Sequence, residues 1–117
     1  MRDDSLDLNS NQLSAMSVLF SHGDLLMGEL AHHERVQPPS MTRIVKELER
    51  RGYVVRSETP QDRRQSLVSL TDAGSEVLAA NRKRRTDWLA RQLAALEPAE
   101  RDILRKAIPV LEKVNQA

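Results

Sequence analysis

Three observations predict a mainly α chain with one small β-hairpin. Apolar residues recur at helical spacing in successive stretches, one interval alternates with period two, and glycine or proline falls at the joints. The first stretch runs from Asn11 through His22, with Leu13, Met16, Val18, Leu19 and Phe20 on one face and Asn9, Ser10 or Asn11 available as cap. Gly23 and Asp24 break it. Gly23 supplies permissive backbone after a helix end, and Asp24 can cap a second short helix, Leu25 to about Glu34, that turns Leu26, Leu30 and Met27 inward. Residues 35–40 must turn, because Pro38 and Pro39 lack an amide donor and Gln37 is pushed toward an extended conformation. A third helix follows from Ser40. It carries Met41, Ile44, Val45 and Leu48 at i, i+3, i+4 and i+7 and ends at Gly52.

Beyond Gly52 the period shortens. Residues 53–57 and 66–70 are rich in β-branched and apolar side chains, and the polar stretch between them, with Pro60 and Asp62, reads as an exposed tip. Thr71 or Asp72 then caps a long helix from about Ala73 to Leu96. Its apolar positions are Val77, Leu78, Trp88, Leu89, Leu93 and Leu96, around a polar stretch from Asn81 to Asp87. Pro98 suits the first turn of a final helix bearing Ile103, Leu104, Ala107, Ile108, Leu111 and Val114, which Pro109 is expected to bend or weaken.

Composition narrows the function. The 117 residues are 39% hydrophobic and 30% charged, with no cysteine, so a disulfide framework and thiolate chemistry are excluded. No apolar run approaches the roughly 20 residues of a bilayer-crossing helix, and no apolar stretch follows Met1, so a cytoplasmic protein off the membrane is expected. No glycine-rich phosphate loop or nucleophile elbow is present, which argues against an enzyme and against a bound cofactor. Net charge is +1 overall but uneven. Residues 1–34 carry one Arg against six carboxylates, residues 35–66 carry eight cations against four, and residues 67–117 carry nine against seven. A cationic block confined to the middle points to a local anionic partner such as a phosphate backbone, the alternative being a solvated charged face.

Helix, helix, proline-containing turn, helix and a hairpin with a basic tip is the order of a winged helix-turn-helix. Residues 1–72 are assigned to that region, with the wing at about 53–70, and residues 73–117 to terminal helices for dimerisation, all within one compact domain. The chain resembles the MarR family of transcriptional regulators. Its stretch from Asp62 to Gly74 matches the family pattern D-x-R-x-x-x-V-x-L-T-x-x-G at Asp62, Arg64, Val68, Leu70, Thr71 and Gly74, and residues 40–45 and 48–54 resemble the recognition helix and its exit into the wing. The resemblance runs from about Leu13 to Val114. It implies a regulator, of the repressor type, that binds a palindromic duplex as a homodimer.

The physical reading stands beside it. A helix of about 12 residues is roughly 18 Å long, and its tip fits a major groove about 12 Å wide. Pro38, Pro39 and Ser40 form that tip, where free amides and the helix dipole would favour a phosphate and Ser40 either caps the helix or donates to that phosphate. Thr42, Arg43 and Lys46 lie opposite or beside the apolar stripe. Arg43 has the fork that reads guanine, Lys46 suits a phosphate, and Gln37 can reach either. In the wing, Arg63 and Arg64 can enter the minor groove, with Asp62 orienting Arg64 or forming the turn. A protein-binding winged helix that never touches DNA is the alternative.

Two subunits place recognition helices about 34 Å apart, one duplex turn, which one subunit cannot do. Trp88, Leu89, Leu93, Leu104, Ile108, Leu111 and Val114 are the dimerisation candidates, and family resemblance assigns dimerisation to this region together with an N-terminal helix. About ten residues precede Asn11, fewer than that helix usually has, so either the chain is truncated or its dimer interface is reduced. The resemblance also implies a small aromatic or anionic effector. Met16, Phe20, His22, Met27 and Trp88 are candidate contacts, with plain core packing as the other reading. His32 and His33 diverge by roughly 100° on a helix, and no His pair stands at i and i+4, so no metal site is expected.

Overall fold

The computed structural model describes residues 7–59 and 65–116. In chain order these form α1 (Ser10–His22), β1 (Leu25–Leu26), α2 (Met27–Glu34), α3 (Pro38–Arg50), β2 (Val54–Glu58), β3 (Ser66–Leu70), α4 (Asp72–Ala94) and α5 (Pro98–Gln116). The fold is mainly α with a small antiparallel sheet of strand order β1-β3-β2. Two compact units divide the chain at residues 82 and 83, inside α4 and not at its start.

The first unit owes its local structure to short polar devices. Asn9 caps α1 through a reciprocal pair: its side chain accepts from the Gln12 amide at 2.8 Å, and Gln12 accepts from the Asn9 amide at 2.9 Å. Gly23, at φ 81, closes the helix with its N–H on the Leu19 carbonyl. Met16 and Leu19 face inward as expected, whereas Phe20 is 55% exposed with the Arg82 guanidinium 5.1 Å from its ring centre. The expected Asp24 cap does not form. Leu25 and Leu26 pair instead with Val68 and Leu67 as a third strand, and α2 begins at Met27 with Glu29 accepting from the Leu26 amide at 2.9 Å.

α3 starts two residues earlier than the sequence suggested. Pro38 and Pro39 occupy its first turn, where a missing N–H costs nothing and the fixed φ is already helical, so Gln37 takes the capping position and Ser40 does not. Its inner face of Met41, Val45 and Leu48 is fully buried, and with Met16, Leu30, Val54 and Val68 it forms the core of this unit. β2 and β3 pair from Val54 opposite Leu70 to Glu58 opposite Ser66.

One hydroxyl joins the recognition region to α4. The Thr71 side chain donates to the Gly52 carbonyl at 2.7 Å and accepts from the Gly74 amide at 3.0 Å, which makes Thr71 the cap of α4. Gly74 is required by proximity. A methyl group there would collide with the Tyr53 carbonyl oxygen and approach Leu70 Cδ1 to 2.7 Å.

In the second unit α5 begins at Pro98, with the Glu97 amide donating to Glu100 Oε1 at 3.0 Å. The helix runs through Pro109 to Gln116 despite the amide that proline removes. Among the described residues no helix is long and apolar enough to cross a membrane.

Candidate nucleic-acid interface

The outer face of α3 is built by the same periodicity that buries its inner face. Pro39, Thr42, Arg43 and Lys46 stand at i, i+3, i+4 and i+7, and Arg43 and Lys46 are exposed. At the tip, Pro38 and Pro39 have no amide hydrogen, and the amides of Ser40 and Met41 are taken by the Gln37 carbonyl at 3.0 and 3.1 Å. The expectation of free amides at this tip is therefore corrected. What remains there for an anion is the helix dipole and the Ser40 hydroxyl, which Arg43 Nη2 approaches at 3.5 Å. Thr42 spends its hydroxyl hydrogen on the Pro38 carbonyl at 3.0 Å, leaving its oxygen and methyl group outward.

The cations of the middle block separate into two sets. Glu47 accepts from Arg50 at 2.6 and 3.0 Å and from Arg51 at 3.1 Å. The hydrogen bonds from Arg50, and then from Arg51, hold its carboxyl down at about 2. Arg51 also reaches the Asp7 carbonyl at 3.5 Å. Arg56 on β2 donates twice to Glu49 Oε1, at 2.9 and 3.2 Å, tying the strand to the recognition helix. Arg43 and Lys46, by contrast, face no carboxylate among the described residues. The sequence count treated all these cations alike.

Glu47 lies three and four residues before Arg50 and Arg51, and that spacing is the signal for their pairing. The Glu49 to Arg56 pair crosses from helix to strand and had none. Arg35, also without a carboxylate among the described residues, ends α2 in the left-handed region at φ 57 and was not singled out by the sequence reading. Asp62, Arg63 and Arg64 lie outside the described residues. Val68, Leu70 and Thr71 do anchor the base of the wing, Val68 being fully buried.

The other candidates divide between the two units. Met16 is fully buried in the first unit, Met27 packs against its core, and Phe20 and His22 are exposed. Trp88 belongs to the second unit. In that unit Leu89, Leu93, Leu104, Ile108 and Leu111 line an open apolar groove of about 480 Å³ bordered by Arg101 and Arg105. Trp88 and Val114 are 56% and 70% exposed.

Three helices with a proline-opened recognition helix, followed by an antiparallel wing, define a winged helix-turn-helix protein of the DNA-binding kind. The chain belongs to the MarR family: the profile described as MarR family matches residues 8–66. It is 44% identical over 110 residues to the uncharacterized HTH-type transcriptional regulator Mb0904 of Mycobacterium bovis, covering 94% of this chain and 77% of that protein. It is 33% identical to the HTH-type transcriptional repressor MdtR of Bacillus subtilis, over 91% of this chain and 66% of the repressor. Among solved structures, the YusO protein of Bacillus subtilis superposes with a TM-score of 0.81 at 28% identity, covering 98% of this chain and 82% of that one. The chain is thus a transcriptional regulator of this family.

Proposed function

We propose that the protein represses transcription by binding a palindromic DNA duplex as a homodimer in the cytoplasm. The observation that carries this reading is the pairing pattern of the middle block: Arg43 and Lys46 are exposed and face no carboxylate among the described residues, while Arg50 and Arg51 share Glu47 and Arg56 pairs with Glu49. Arg43 then reads a base and Lys46 holds a phosphate, with Gln37, Pro38, Pro39, Ser40 and Thr42 packing the tip against the groove. Arg63 and Arg64 enter the minor groove, Arg64 oriented by Asp62. Repression is supported by the relative of that name.

The homodimer is supported by the apolar side chains that the second unit leaves outward. Trp88, Leu89, Leu104, Ile108, Leu111 and Val114 are each 40% or more exposed, and Leu93 lines the groove with Leu89 and Leu104. Release by a small aromatic or anionic effector, contacting Met16, Phe20, His22, Met27 or Trp88, rests on family resemblance alone.

Selection of bound duplexes from a random pool, followed by a salt series on the winner, tests the reading. A dimer neutralising about 6 to 10 phosphates loses roughly 10³ to 10⁵ in affinity between 50 and 200 mM salt. Arg43→Ala relaxes preference at one base position by about 1–3 kcal/mol, and Arg64→Ala weakens binding to most sequences alike. No duplex binding at low salt would overturn the reading in favour of a protein-docking winged helix.

A further inference from the structure

We propose that His22 and His33 form a binding site for one divalent transition-metal ion of the zinc, nickel or copper class. Their rings lie with centroids 4.4 Å apart and planes inclined at 36°. The residues are eleven positions apart in the chain, so no helical repeat announces the pairing. The fold makes it, by bringing the last turn of α1 beside the last turn of α2. Both residues are exposed, and among the described residues no hydrogen bond or ion pair engages either imidazole. Their ring nitrogens are uncommitted.

A second observation favours a cation at this place. His22 is the final residue of α1 and His33 the penultimate residue of α2, so each ring stands at a helix C-terminus, where the backbone carbonyls concentrate partial negative charge. Two such ends converge on one spot. Zinc bound tetrahedrally at about 2.0–2.1 Å needs nitrogens a little over 3 Å apart. Two inclined rings at this separation reach that spacing by small rotations of exposed side chains, which are fast.

Imidazole selects zinc, nickel and copper over magnesium and calcium. Among the described residues no third His, Cys, Asp or Glu completes a cluster, so water fills the remaining positions and the site is open. His32 and His33 both line a groove with Leu26, Gly28 and Glu29, but only the His33 ring meets His22. Metal binding at this pair is measured without DNA.

Calorimetric titration of the tag-free chain with ZnCl2 and with NiCl2 at pH 7.5, with MgCl2 as reference, tests the site. One ion binds per chain, and saturation raises the Tm by about 2–5 °C, with no effect of magnesium. His22→Ala and His33→Ala each weaken binding at least tenfold, and His32→Ala leaves it intact. Both paired side chains are exposed, so the metal-free Tm of each variant stays at that of the parent. Absence of binding, binding unchanged in either paired variant, or loss in His32→Ala overturns the proposal.

Discussion

The two units of this chain use apolar residues in opposite ways. In the first, Met16, Leu30, Met41, Val45 and Leu48 are all at 0% exposure. In the second, Ile103, Ile108, Val110, Leu111 and Val114 range from 52% to 70% exposed. The hydrophobic effect scales with area removed from water, so the first unit contains its own stabilisation while the second leaves much of its apolar area in solvent. A stripe at helical spacing therefore means different things in the two places. On α3 it is a core; on α5 it is a surface looking for cover.

Substitution can break that contrast. Leu48→Ala, in the middle of the sealed core, costs about 2–5 kcal/mol of folding stability by denaturant titration, since the lost contacts leave a cavity. A loss under 1 kcal/mol would mean the first unit is no better packed than the second. Ile108→Asp tests the other side. It leaves the cooperative unfolding of the first unit in place but weakens self-association by about 2 kcal/mol or more, roughly thirtyfold, in sedimentation equilibrium. A chain that stays equally associated assigns the apolar stripe some other cover.

Gly74→Ala sharpens the comparison further. Alanine in an exposed helix interior would stabilise by up to about 1 kcal/mol. Here the added methyl group meets the Tyr53 carbonyl, and the change costs about 1–3 kcal/mol instead, read as a lowered Tm. A neutral or raised Tm shows that α4 yields at its contact with Tyr53 and Leu70.

The smallest contrast is electrostatic. Glu47 holds two guanidiniums on α3, whereas the second unit has single lysine pairs, Lys83 with Asp87 at 3.0 Å and Lys106 with Asp102 at 3.2 Å. The folded carboxyl of Glu47 titrates at about 2 against its usual 4.5, so its contribution is complete above about 4.5 and is lost as the pH falls toward 2. Glu47→Gln flattens that limb of the pH–stability curve. An unchanged acid limb in Glu47→Gln places the acid sensitivity elsewhere.

Local pattern made much of this legible. The helical stripes, the two hairpin strands and the Thr71 cap follow from residues close in sequence, with several ends shifted by one or two residues. What escaped was decided at a distance. Leu25 and Leu26 look like the start of a helix until β3 offers its free edge, and Arg56 looks like an available cation until Glu49 comes alongside. The tandem proline has the look of a break, yet proline tolerates the first turn of a helix, and α3 opens on it. Of the candidate site, the outward placement of Arg43 and Lys46 follows from helical spacing, whereas the pairing of Arg56 with Glu49 has no signal in the sequence.

The Thr71 hydroxyl has a mechanical consequence. A single oxygen holds the carbonyl at the exit of the recognition helix and the amide in the first turn of α4. Twisting α4 at its root must therefore drag residue 52 with it or snap two bonds at once. Thr71→Ser keeps this rivet and Thr71→Val removes it, so the pair distinguishes a rigid shaft from a slack one.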